Sequence, residues 1–165
     1  MSFLLKLKIL FKTLPPELQV FIISLLPVIE LRGGIPYGIG ILGKGAFFSF
    51  VWAVLGNIFP VFFILKFLDP VINWIFKHIP FLEKHIKQYF EKLHVKHSGN
   101  FNKWGAFFLA LFVAVPLPGT GAWTGALLAY LFNIPFWLAF GSISLGVIGA
   151  GFLVAFFSEA VAWML

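Results

Sequence analysis

Glu30 and Arg32 stand two residues apart in an apolar stretch, and Gly33-Gly34-Ile35-Pro36-Tyr37-Gly38 follows at once. The run before them, Val20 to Ile29, is predominantly apolar. An ionisable side chain at the centre of a bilayer costs about 2.5–3.5 kcal/mol on insertion scales, so such residues mark sites more often than accidents. Arg32 is the only arginine among 12 lysines and arginines. Its planar fork suits bidentate contact with a phosphate or carboxylate. Glycines let backbone approach a ligand closely, and free amides bind anions. Glu30 can neutralise Arg32 when the site is empty, or carry a proton. The plainer alternative is a static ion pair that pins a hairpin tip.

Pro116-Leu117-Pro118-Gly119-Thr120-Gly121 forms a second cluster of this kind, without any charge. Two prolines remove two donors and stiffen the chain. Gly119, Thr120 and Gly121 offer amides and one hydroxyl, which suits an anion nest or, equally, a tight turn between half-helices. The cluster is not a nucleotide-binding P-loop, because no Gly-Lys-Ser/Thr ending follows. Asn57 falls in mid-span and either bonds another helix or lines a pathway. Asp69 and Glu159 fall near span ends and read as interfacial. His78, His85, His94 and His97 lie on a basic stretch, at spacings that match no metal-ligand set. No paired carboxylates or Ser–His–Asp pattern stand out, so the expectation is a protein that is not an enzyme, with neither metal nor cofactor.

These residues need elements to hold them. Pro15-Pro16-Glu17 starts a helix: proline is tolerated in the first turn and a carboxylate there favours the dipole. The apolar segment from Leu18 to Ile29 is too short to cross a hydrocarbon core of about 30 Å. A break is expected at Glu30–Pro36, then a short piece from Tyr37 to Leu42. Ala46 to Leu68 reads as a full span, closed by Asp69-Pro70. The second half repeats the order: a short helix over Trp104–Val115, a break at Pro116–Gly121, a short helix over Ala122–Phe132, and a span from Phe136 to Phe157. Paired, interrupted segments in corresponding positions point to a transport site between internal repeats.

The reading is therefore an all-α integral membrane fold of two repeats. Each repeat is a re-entrant (broken) helical hairpin plus a transmembrane helix. Residues 15–69 form the first repeat and 104–165 the second, within a single membrane domain. Short apolar length favours inverted hairpins, the arrangement expected here; the cation distribution favours parallel repeats, or an inverted fold with an unusual charge balance. Residues 1–14 read as an amphipathic surface helix and 70–103 as a basic amphipathic connector, where apolar residues recur at spacings of three and four.

Composition demands a membrane. The chain of 165 residues is 61% hydrophobic and 11% charged, with mean hydropathy +0.99. A soluble domain is about 45–50% apolar and about 25% charged. The absence of Cys excludes disulfides and thiolate chemistry. No cleavable signal peptide is visible, because Lys6, Lys8 and Lys12 interrupt the first apolar stretch. A net charge of +6, carried by residues that flank the apolar segments, points to anionic headgroups and not to nucleic acid. Protons and a second copy of the chain are further candidate partners. The location expected is the plasma membrane of a prokaryote, crossed more than once.

At Glu30-Leu31-Arg32-Gly33-Gly34-Ile35-Pro36 and Pro116-Leu117-Pro118-Gly119-Thr120-Gly121 the chain resembles the small multi-drug export protein family, and more distantly the DedA (VTT-domain) superfamily. The resemblance spans almost the whole chain. It implies two re-entrant hairpins that face each other from opposite sides, and movement of lipid across a bilayer. For DedA proteins the implied substrates are undecaprenyl phosphate and related phospholipids, with proton coupling. It implies that Glu30 and Arg32 are the functional charges of the first hairpin and that Pro116, Pro118 and Gly119 form a Pro-x-Pro-Gly element in the second. The chain departs from that pattern where Thr120 replaces an acidic residue and no arginine follows. The function expected is a transporter or flippase of an anionic lipid; the alternatives are an exporter of lipophilic cations and a non-transporting assembly factor. The substrate-binding set is Glu30, Arg32, Gly33, Gly34, Pro36, Asn57, Pro116, Pro118, Gly119, Thr120 and Gly121.

Overall fold

A computed structural model describes residues 10–78, 101–117 and 119–164. Most of the expected surface helix and connector, and Pro118, lie outside the described residues. Among the described residues every regular element is helical. The helices are α1 (Pro16–Leu25), α2 (Glu30–Pro36), α3 (Ala46–His78), α4 (Phe101–Ala114), α5 (Ala122–Leu131) and α6 (Phe136–Met164).

Helix α1 starts as its sequence dictates, with proline in the first turn and Glu17 beside it. It stops at Leu25 because Pro27 disfavours helical geometry in the residue before it. Leu26 is accordingly extended, at φ −72° and ψ 134°. The break therefore falls at residues 26–29 and not at Glu30–Pro36 as expected. Glu30 opens α2 with its amide bonded to the Leu26 carbonyl at 3.0 Å. Gly33, Gly34 and Pro36 lie within α2. The chain then widens into a π turn over Tyr37–Ile41, closed by the Leu42 amide on the Tyr37 carbonyl at 3.1 Å.

The two long helices run past their expected ends. Pro70 is accommodated inside α3, which continues to His78, and α6 reaches Met164. An internal proline removes one backbone bond and kinks a helix without necessarily ending it. Ala46–Ile72, with 27 residues, and Phe136–Met164, with 29, are long and apolar enough to cross a membrane. At 1.5 Å per residue each exceeds about 30 Å of hydrocarbon. Helices α1, α4 and α5 are apolar but too short. Large apolar side chains point outward along the long helices, including Phe47, Phe59, Trp137, Phe152 and Phe156. Water would oppose that surface; lipid would not.

The described helices gather into two compact units. The first comprises residues 1–59 and 147–165, the second residues 60–146. Each unit thus holds one pair of short helices, the beginning of one long helix and the end of the other.

Within the first unit, close approach depends on glycine. A Cβ on Gly56 of α3 would sit 3.0 Å from the backbone carbon and Cα of Phe21 in α1. A Cβ on Gly34 would strike the Ser24 side chain and lie 3.2 Å from the Val20 carbonyl. Val20, Leu31, Ile35 and Ala53 form the buried centre. In the second unit Gly125 and Gly146 pack on Val113, and Val113, Ala122, Ala126 and Ile143 are buried. Helix α5 ends where Asn133 takes a left-handed conformation, at φ 50°, and the Ile134 amide reaches back 2.9 Å to the Ala129 carbonyl. Asparagine tolerates that geometry better than most side chains.

Candidate functional site

The first unit carries a polar interior. Gln19, Ser24, Glu30, Ser49 and Asn57 are all buried, Glu30 with 4% of its surface exposed. Glu30 also holds a left-handed backbone at φ 51°. An L-residue pays about 1–2 kcal/mol for that conformation, so the surrounding fold imposes it. The turn set by Pro27 places the carboxylate inside, and Arg32 lies half-buried farther along α2. Both residues make interactions within the fold.

Gln19 bridges two segments. Its Oε1 accepts a 2.7 Å bond from the Tyr37 hydroxyl, and its Nε2 donates to the Leu14 carbonyl at 2.7 Å. It ties α1 to the π turn. Ser49 donates to the Gly45 carbonyl at 3.1 Å, at the start of α3. Ser24 Oγ and Asn57 Oδ1 are buried without a hydrogen-bond partner. Gln19, Ser24 and Ser49 escaped the sequence reading. Their available signal was a lone polar side chain at helical spacing within an apolar run.

The glycines of this segment serve packing. Gly33 donates its amide to the Ile29 carbonyl at 3.2 Å, so that donor is not offered to a ligand. Cβ atoms on Gly33 and Gly34 would strike Ile29 and Ser24 respectively. Pro36 is exposed and borders a groove of about 370 Å³ with Ile39, Phe157 and Val161.

The second break behaves as a turn. Gly119 adopts φ 85°, with open space where a Cβ would stand. The Thr120 hydroxyl accepts from the Leu117 amide at 3.2 Å and lies 2.6 Å from the Val115 carbonyl and 2.9 Å from that of Leu117. One hydroxyl donates one proton, so these two carbonyls share it. Gly121, buried and extended, caps α5 without a side-chain bond. Pro116 lies beside this turn, half-buried. Thr120 also borders an apolar cleft of about 420 Å³, walled by Phe108, Phe112, Leu117, Leu128 and Phe132.

The sequence-predicted residues therefore fall into two sets. Glu30, Arg32, Gly33, Gly34, Pro36 and Asn57 belong to the first unit; Pro116, Gly119, Thr120 and Gly121 belong to the second. Asp69 and Glu159 are exposed. Among the described residues no group of three His, Cys, Asp or Glu side chains could hold a metal. His85, His94 and His97 lie outside those residues.

A family described as "Putative small multi-drug export protein" matches residues 30–153, a stretch that begins at Glu30 and includes both breaks. No curated protein and no solved structure matches the chain. The chain belongs to this family.

Proposed function

We propose that the protein moves an anionic lipid, a polyprenyl phosphate or a phospholipid, across the plasma membrane of a prokaryote. Arg32 engages the headgroup while the hydrocarbon tail stays in lipid, as the DedA likeness of its motif implies. The observation that carries this reading is the buried Glu30, held in a strained backbone beside the only arginine of the chain. A carboxylate kept inside an apolar fold at such cost needs a task, and neutralising Arg32 between headgroups is one. Inverted repeats are part of the proposal. Their support is the exchange of helix halves, since the beginning of each long helix shares a unit with the end of the other.

The test is reconstitution in liposomes with a panel of fluorescent anionic lipids. Arg32→Ala is expected to slow transport by at least tenfold while the folded yield stays normal. A hydrogen bond to a charged group contributes about 1.5–3 kcal/mol, and 1.4 kcal/mol corresponds to a factor of about 10. Unchanged lipid transport in Arg32→Ala defeats the proposal. Export of lipophilic cations is the second reading, favoured by the family description and by the apolar cleft of the second unit. It requires that Glu30→Gln abolish efflux of quaternary ammonium compounds and that Arg32→Ala spare it.

A further inference from the structure

Within the first unit, a groove of about 370 Å³ separates the π-turn region from the last turns of α6. Pro36, Ile39 and Gly40 form one wall; Phe157, Val161 and Ala162 form the other. Among the described residues that line it, only Ser158 is polar. Glu159, beside Ser158, is exposed and belongs to neither wall. The groove's size falls at the lower end of ligand pockets, which run about 300–1,000 Å³. Both walls have exposed residues, Pro36 and Gly40 on one side, Phe157 and Val161 on the other. Residues 157–162 belong to the second long apolar helix, so in a membrane the groove opens onto lipid.

Gly40 stands apart from the other glycines of this region. Cβ atoms on Gly33, Gly34 and Gly38 would strike Ile29, Ser24 and Ser49. No described atom lies within 4 Å of where a Cβ on Gly40 would stand. Its missing side chain therefore leaves space in the groove and serves no helix contact. On the same wall, Pro36 follows Arg32 by four residues, both beyond the left-handed Glu30 and both within α2. Their side chains start about 5–6 Å apart on one face of the helix. The chain's only arginine is thus rooted one turn from the rim of the groove.

We propose that this groove holds one hydrocarbon chain of an anionic lipid whose headgroup lies at Arg32. An apolar groove left unfilled forfeits the dispersion contacts of its walls. Lipid tails are as apolar as those walls, so hydrophobicity does not choose among them; a cation at one end does. At about 30 Å³ for a group the size of a water molecule, the space suits about 12 methylenes, most of one chain and not two. The headgroup's place at Arg32 rests on the function proposed above.

The test is photo-cross-linking of the full-length protein in phosphatidylcholine vesicles doped with phosphatidylglycerol that carries a diazirine at mid-chain. Adducts are expected to concentrate on residues 36–40 and 157–162, above the level at Phe152, an exposed residue of α6 outside the groove. The same diazirine on phosphatidylcholine, at equal mole fraction, is expected to give roughly tenfold fewer groove adducts, a difference that one charge-assisted contact supplies. Arg32→Ala is expected to erase that difference. Gly40→Leu fills the groove and is expected to bring its adducts down to the Phe152 level with either lipid, at an unchanged unfolding midpoint. Where Gly40→Leu does not fold, Ala162→Leu fills the groove from the opposite wall and decides. Adducts spread evenly over lipid-facing residues, groove adducts that survive the filling variant, or equal yields from the two headgroups overturn the proposal. These failures leave the transport reading standing; that reading fails in the Arg32→Ala liposome assay.

Discussion

The two breaks follow one pattern of short helix, Gly/Pro interruption and short helix, yet they differ in what they bury. The first unit surrounds its break with Gln19, Ser24, Glu30, Ser49 and Asn57, all buried. Among the described residues of the second unit Ser142 is the buried polar side chain, and an apolar cleft of about 420 Å³ lies beside the turn. Local bonding differs too. At the second break Thr120 commits its hydroxyl to the turn that contains it, whereas Ser24 and Asn57 of the first unit, like Ser144 of the second, keep buried oxygens uncommitted. Pattern at the level of helix length therefore does not transfer chemistry from one half to the other. Chemistry follows which residues fill the seam between helices.

This contrast can be broken by substitution, and the largest stability effect is expected at Gly56. Its Cβ would meet the Phe21 backbone, which cannot rotate away as a side chain can. Gly56→Ala should therefore cost about 3 kcal/mol, at the upper end for overpacking, read as a lowered unfolding midpoint in detergent. A normal midpoint would mean that α1 and α3 do not approach as closely as described. Gly119→Ala isolates another cause in the second unit. The site is open but its φ is positive, so the expected cost is about 1–2 kcal/mol, purely conformational. Gly119→Asn should recover part of it, because asparagine tolerates this region; equal losses in both variants would point to packing instead. The smallest effect is expected at the Thr120 hydroxyl. Thr120→Val should lower stability by about 1 kcal/mol, with Thr120→Ser close to the parent. If Val is neutral, the second turn holds without its hydroxyl and the contrast with Ser24 loses force.

Much of the helix layout could be read from the chain. Pro16, Gly119 and Pro135 punctuate it where the helices start and turn, and α5 begins at Ala122 as expected. The first break falls before the glycines, at Pro27, and not at them. Gly33 and Gly34 remain helical, since tight packing against Ile29 and Ser24 uses their small size, while Pro27 ends α1 through the residue before it. The end of α3 falls later than Asp69-Pro70 suggests, because Pro70 is carried within a helix that extends to His78. Glu30, Arg32 and Asn57 were legible as charges and polar groups without an apolar excuse. Gln19, Ser24 and Ser49 were not, because a single serine or glutamine in an apolar helix is common and carries no sign of where it points.

What the sequence by itself determined is the solvent and the alphabet of elements. A chain 61% hydrophobic with two long apolar stretches belongs in lipid, because transfer of that much apolar surface to water has no compensating core. Its helices follow, because backbone groups in hydrocarbon must bond within their own segment. What only the tertiary structure decided is which polar atoms are buried together and which are satisfied. The Tyr37 hydroxyl finds Gln19 across 18 residues, and Ser24 comes to rest against Gly34, by contacts that no local rule of spacing specifies. Hydrophobic burial sets the class of the fold without direction, whereas hydrogen bonds and glycine contacts are directional and depend on the final placement of three helices at once.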